Sequence, residues 1–290
     1  MELSLFRTLW GVQQEMCSYV DALRQAGFVG VEARVPLELE ARRTFKQSLK
    51  TLEMKYIAIL FSGGDVIPNQ AESPDQHLAR LAEQLDFAAE LEPKFVNVLP
   101  GNDRWTMTQQ VDFFGRAHEL AKEKGVFCSF ETHRATSLYS PWVTLELIRQ
   151  LPEVRYTADI SHWVLVCERL LNDPVDDLSR FIERVHHIQA RVGYPQGPQT
   201  PHPGAPEYKE ALQFHQNVWQ AIWQKHLDAG RTETTMTTEF GADGYLHHLP
   251  FTNVPVADLW ALNEWMAVEE RAHFERFIHQ HHSLLSESVL

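Results

Sequence analysis

The stretch CSFETHRATSLYSP, residues 128–141, is an apolar run that ends in Glu131-Thr132-His133 and passes into a polar loop. Side chains on a strand alternate faces, so Glu131 and His133 point the same way. Three later β-like runs end in the same manner. VRYTADIS (154–161) delivers Asp159, followed by Ser161-His162. RVHHIQARV (184–192) places His187, Gln189 and Arg191 on one face. TTMTTEFG (234–241) ends in Glu239. If these ends converge, three carboxylates share one small space. At about 4 Å, two like charges cost roughly 4 kcal/mol at an effective dielectric of 20. A divalent cation relieves that repulsion. Glu131, Asp159, Gln189 and Glu239 form an all-oxygen set suited to Mn²⁺ or Mg²⁺. With His187 as the strand-seven ligand instead, nitrogen enters the shell and Zn²⁺ or Co²⁺ fits better. The residues leave that choice open. His133 and His162 fall behind the ligands or against a substrate. The histidines of HQHH (279–282) read as a solvated helix face.

Convergence requires strands that end side by side. Before these four runs come LSLFRTLW (3–10), VGVEARV (29–35), YIAILFS (56–62) and KFVNVLP (94–100), whose ends carry Trp10, Glu32, Ser62 and Asn97. VFCSFETH (126–133) makes strand five. Amphipathic helical stretches separate the eight runs, with Ser73-Pro74-Asp75 and Thr106 or Thr108 as helix starts. Regular βα alternation implies a parallel sheet. Eight units in 290 residues imply a single-domain (β/α)8 barrel spanning 1–290, a fold that typically needs about 250 residues. A doubly wound sheet is the rival, but neither GxGxxG nor GxxxxGK[ST] occurs. Barrel active sites form at the C-terminal strand ends, where these residues fall.

Bulk properties narrow the function classes. A net charge of -13 repels phosphate backbones and anionic lipid, so neither nucleic acid nor a membrane is expected as a partner. No run approaches a membrane span. Three cysteines without a CxxC, and an N-terminus unlike a signal peptide, fit a reducing cytoplasm. No Lys/Arg cluster marks a phosphate pocket, so an unphosphorylated sugar, polyol or keto-acid is the expected substrate class. The loop RVGYPQGPQTPHPGAPEY (191–208), rich in proline, is placed to cover the rim as a lid. The helix carrying Trp219 and Trp223 is a candidate face for homo-oligomer contacts.

AGFVGVEAR, FET, TADISHW, HHIQAR and TTEFG together resemble the xylose isomerase-like TIM-barrel superfamily of sugar isomerases, ketose 3-epimerases and inosose dehydratase-like proteins. The resemblance runs over nearly the whole chain. It implies one divalent metal held by Glu131, Asp159, the strand-seven position and Glu239. The family's histidine at that position is here Gln189, whose oxygen coordinates more weakly than imidazole. The family's D-x-x-H is present as Asp159 and His162. The implied reaction is proton transfer next to a carbonyl, with Glu131 and Glu239 as acid and base. His162 would then stabilise charge on a substrate oxygen, and Arg191 would hold a remote oxygen or carboxylate. His133, His187 and Asn97 are further substrate contacts, with Trp10 and Trp163 as an apolar wall. A dehydratase begins with the same proton abstraction. Apurinic endonucleases share the barrel but need a basic face that this chain lacks. A barrel that binds a ligand without catalysis is the reading from another class, and Gln189 is its best support.

Overall fold

Eight parallel strands close on themselves in chain order in a computed structural model that describes residues 1–242 and 244–287. The strands are Glu2–Thr8 (β1), Gly30–Arg34 (β2), Lys55–Phe61 (β3), Val96–Leu99 (β4), Cys128–Glu131 (β5), Tyr156–Ala158 (β6), Val185–Ala190 (β7) and Glu233–Thr238 (β8). Pairing of β1 with β8, from Glu2 opposite Glu233 to Arg7 opposite Thr238, seals the barrel. The single (β/α)8 barrel read from the alternation is therefore the observed fold. Its outer helices are Val20–Gln25 (α1), Leu39–Thr51 (α2), Pro74–Glu90 (α3), Met107–Glu123 (α4), Pro141–Gln150 (α5), Ser161–Cys167 (α6), Ser179–Ile182 (α7), Lys209–Asp228 (α8) and Leu259–Glu287 (α9). Two short helices, α6 and α7, share the crossover from β6 to β7. Ser73 with Gln76 and Thr106 with Gln109 each form a reciprocal capping box. Each box satisfies two backbone or side-chain groups that a helix start otherwise leaves open. None of the described helices is long and apolar enough to cross a membrane.

The strands bury two different faces. Outward side chains such as Val31, Leu60, Phe130, Ile188 and Met236 join the helices in one continuous apolar cluster. Trp163, Trp219 and Trp223 belong to that cluster and are fully buried. Trp163 thus packs in the core, its indole N–H on the Leu138 carbonyl at 2.9 Å, and builds no substrate wall. Trp219 and Trp223 are likewise closed to any oligomer contact. The proline-rich loop is not a lid either. Gln199 is buried, and its amide bonds the N–H and C=O of Gly241 at 2.9 and 3.2 Å. His202 lies against the Trp265 ring at 5.1 Å. The prolines stiffen a segment that packs down beside the barrel. Of the C-terminal histidines, His279 is exposed as expected, while the His282 side chain falls outside the described residues.

Two inward features set the floor and the register of the site. Phe6, Ile57 and Phe95 form a separate apolar plug inside the lower barrel. Gly30 makes room for it: a Cβ there would sit 2.6 Å from the Phe6 ring and 2.3 Å from the Lys55 carbonyl. The second feature is a bulge in β7. Tyr156 pairs with Val185, yet Thr157 pairs with His187, so one extra residue enters β7 at His186. Both His186 and His187 then meet the Phe95 ring, at 4.8 and 5.1 Å. Above the bulge, alternation resumes with Gln189 and Arg191 inward. Because the Lys55 carbonyl is backbone and cannot yield, Gly30→Ala should cost about 1–3 kcal/mol, as overpacking does elsewhere. Urea denaturation checks this, and an unchanged midpoint would refute the account of the plug.

Candidate active site

Glu131, Asp159 and Glu239 meet at the upper barrel mouth, with one oxygen of each within 4.8 Å of the others. All three are buried. Glu131 is the last residue of β5; Asp159 and Glu239 lie one residue beyond β6 and β8. Thr132 locks the first two ends together. Its hydroxyl donates to the Asp159 carbonyl at 2.8 Å and accepts from the Asp159 N–H at 2.9 Å. That bond orients the Asp159 backbone while Glu131, on the alternate face, turns inward. Asp159 Oδ1 also accepts from the N–H and hydroxyl of Ser161, at 3.1 and 2.5 Å.

Positive charge reaches the cluster from β7. Arg191 is buried and donates through Nη2 to Asp159 Oδ2. The same nitrogen lies 3.3 Å from Glu239 Oε2 and 2.8 Å from His162 Nε2. Its Nε reaches Ser161 at 3.2 Å, and its plane lies 4.7 Å from the centre of the Tyr245 ring. Arg191 therefore bridges two of the carboxylates through Nη2 while still bordering the cavity. His162 does not face the cavity. Its nitrogens meet Arg191 and Arg134, the latter at 3.2 Å, and its ring lies against His133, centres 3.9 Å apart and tilted by 48°. His133 does border the cavity, with Nδ1 at the Arg134 carbonyl and Nε2 3.3 Å from the Tyr245 hydroxyl.

A second carboxylate layer lies just below. Glu32, fully buried on β2, accepts from Asn97 at 3.0 Å and Gln189 at 2.8 Å, with His187 Nε2 at 3.3 Å. Asn97 also donates to Glu131 Oε2 at 2.5 Å. His187 meets Thr235 and Thr237 at 2.8 and 3.0 Å. Asn97 and His187 are thus committed to other side chains. They stand behind the site and not against a substrate, and His187 is a hydrogen-bonded barrel histidine. The cavity above holds about 760 Å³ and is bordered by Trp10, Glu131, His133, Arg191 and Glu239 among others. Trp10 sits in the loop after β1, edge-on to Tyr245 at 4.9 Å. Sequence reading assigned no role to Glu32, Arg134 or Tyr245. The inward phase of Glu32 in VGVEAR was the one signal for it.

The electrostatics call for a cation. Glu32, Glu131, Asp159 and Glu239 bring four carboxylates, against the guanidiniums of Arg134 and Arg191. With all four ionised, two negative charges would remain, the charge that one divalent ion would cancel. Among the buried oxygens around the site, Asn97 Oδ1, Gln189 Oε1 and Glu239 Oε2 have no hydrogen-bond partner, the last keeping only its ion-pair contact with Arg191. The oxygens of Glu131, Asp159 and Glu239 are a donor set that a hard divalent ion would fit. Without such an ion, burial first, then Asp159 and Glu32, pushes the Glu131 carboxyl up to about 8. Burial likewise holds Glu239 well above the ordinary carboxylate range despite Arg191. Burial and the nearby guanidiniums push His133 down to about 3. His162 falls far below its ordinary value through burial and its neighbour His133. Both imidazoles are neutral in this site.

A raised folded-state pKa stabilises the protonated protein below the unfolded value and loses that stability as pH climbs through the folded one. Metal-free protein should accordingly lose stability between about 4.5 and about 8 on account of Glu131. Glu131→Gln should flatten that loss and raise the melting temperature at the alkaline end by at least ~2 °C. Parallel slopes for the two proteins across a pH series of melting curves would contradict this.

Comparison with known proteins places the barrel. A xylose isomerase-like TIM barrel protein from Mycobacterium smegmatis, solved in complex with magnesium, superposes with a TM-score of 0.60. It is 11% identical, over 91% of this chain and 95% of its own. The 3-keto-D-glucoside 4-epimerase of E. coli gives 0.57 at 12% identity, over 93% and 100%. Endonuclease IV of Thermus thermophilus gives 0.58 at 15% identity, over 95% and 100%. At such identities the likeness is one of fold. No curated protein matches the sequence. The sequence profile of the xylose isomerase-like TIM barrel matches residues 20–204, well over half of the chain. Sequence profile and closed barrel agree, and the chain belongs to the xylose isomerase-like TIM barrel family.

Proposed function

We propose that this protein is a divalent-metal-dependent isomerase or epimerase of a sugar or sugar derivative. The observation that carries the reading is the buried trio of Glu131, Asp159 and Glu239 at the mouth of a cavity large enough for a small molecule. Family membership supports it, as do the magnesium in one structural relative and the epimerase activity named for another. Glu131, Asp159, Glu239 and the oxygen of Gln189 would hold the ion, Mn²⁺ or Mg²⁺ before Zn²⁺ or Co²⁺. When bound, the ion supplies Lewis acidity, which makes a hydrogen next to a carbonyl acidic.

The side chains do the rest. Asn97 occupies Glu131 Oε2, which leaves Oε1 to take the proton. Glu239 reaches the same space from β8 and returns a proton from its own side. Arg191, placed between Asp159 and Glu239, offsets the repulsion of those two carboxylates. With its Nδ1–H on the Arg134 carbonyl, neutral His133 accepts the Tyr245 hydroxyl at Nε2, which leaves the Tyr245 oxygen to accept from a substrate hydroxyl without adding charge. Glu32 orients the amides of Asn97 and Gln189 from below.

Incubation in D₂O with Mn²⁺ and a panel of ketoses, aldoses and keto-polyols should place deuterium next to the carbonyl of one of them. Glu131→Gln and Glu239→Gln should each lower that exchange by about 10²–10⁴-fold, the usual weight of a general base. Exchange accompanied by loss of water would assign a dehydratase. Exchange that ignores metal, or that survives Glu131→Gln intact, would sink the scheme. Elemental analysis of protein purified without chelator should find near-stoichiometric divalent metal, with less in Gln189→Ala. Gln189→His should bind Mn²⁺ more tightly than wild type by calorimetry. Identical affinities for all three would remove Gln189 from the ligand set.

A further inference from the structure

The cavity has two unlike ends. Toward β5–β8 its border is ionic: Glu131, His133, Arg191 and Glu239. Toward β3 and β4 it is hydrocarbon. Ile59 and Phe61 of β3, Leu99 of β4 and Val66 of the following loop pack together as a cluster separate from the main core. Ile67 extends the same surface, and Leu9 and Ala33, which pack against the main core, border it. Ile67 is 70% exposed, so this wall continues to the cavity mouth. Ile59, Phe61 and Leu99 are buried against each other, yet their inward faces border the cavity and not a helix layer. The nearest charged groups on this side are Arg34 and Asp65. They pair with each other at 3.4 Å, and the Arg34 guanidinium lies 4.1 Å from the centre of the Phe61 ring.

A free monosaccharide carries hydroxyls on every edge. Seated at the carboxylates, it would fill only part of about 760 Å³ and leave the hydrocarbon wall wet. Any hydroxyl turned to that wall would lose a hydrogen bond to water and gain none. A substituent that is itself apolar removes both defects. The geometry points to a substrate that joins a hydroxylated head, seated at Glu131, Asp159 and Glu239, to an aryl or short alkyl substituent on the wall of Ile59, Phe61, Val66, Ile67 and Leu99. An aryl ring there would also extend the Phe61–Arg34 stack. The inference rests on the proposed function for the head, and on the wall alone for the substituent.

Calorimetry with matched methyl and phenyl glycosides of glucose, galactose and xylose tests it, with and without Mn²⁺. The expected result is a phenyl compound bound at least tenfold more tightly than its methyl partner, about 1.4 kcal/mol. Ile59→Asn should abolish that preference. Exposed Ile67→Ser, which leaves the barrel interior untouched, should reduce it. Equal affinities, a preference indifferent to both substitutions, or no binding of any phenyl probe at millimolar concentration would overturn the inference. A phenyl preference that persists while binding ignores Mn²⁺ would uphold the apolar subsite and count against the metal chemistry.

Discussion

Like charge confined in a dry space is the constraint that organises this molecule. Glu32, Glu131, Asp159 and Glu239 come from four strands and lie buried in one barrel mouth. Coulomb repulsion at such distances is several kcal/mol per pair unless something intervenes. The surrounding residues read as a distributed answer. Asn97 and Gln189 turn amide N–H groups toward carboxylate oxygens, Ser161 adds a hydroxyl, and Arg191 adds a full charge. Protonation of Glu131 and Glu239, both raised by burial, answers the rest when no ion is bound.

The same constraint explains why the histidines are quiet. Guanidiniums and burial keep His133 and His162 neutral, so neither adds a proton-dependent charge to a site already full of them. Their contribution is shape and hydrogen bonding. Arg191 is a structural cation in this arrangement, held by three acceptors and capped by Tyr245. Its removal would leave Asp159 and Glu239 facing each other.

Much of this was legible in the sequence. Strand alternation puts Glu131, Asp159, Gln189 and Glu239 inward at strand ends, and a parallel barrel brings strand ends to one rim. The barrel follows from eight apolar runs separated by helical ones. What escaped is of a different kind. The role of Glu32 depends on partners from β4 and β7, more than sixty residues away, which no local pattern encodes. Trp163, Trp219 and Trp223 occur at helical spacing, and spacing alone does not tell a core face from a contact face. Proline content announced a stiff loop between residues 191 and 208. Whether a stiff loop covers a rim or packs beside it is decided by one buried side chain, Gln199, and its bonds to Gly241.

The plug of Phe6, Ile57 and Phe95 has a consequence for traffic. With its lower end filled by aromatic and branched side chains, the barrel opens its site cavity toward the upper rim. Whatever enters must leave by the same opening. For a reversible reaction, substrate and product become rivals for one vestibule, and a turnover ends only when the vestibule empties. The vestibule's hydrocarbon side, more than the chemistry at its depth, would then set how long the visitor stays.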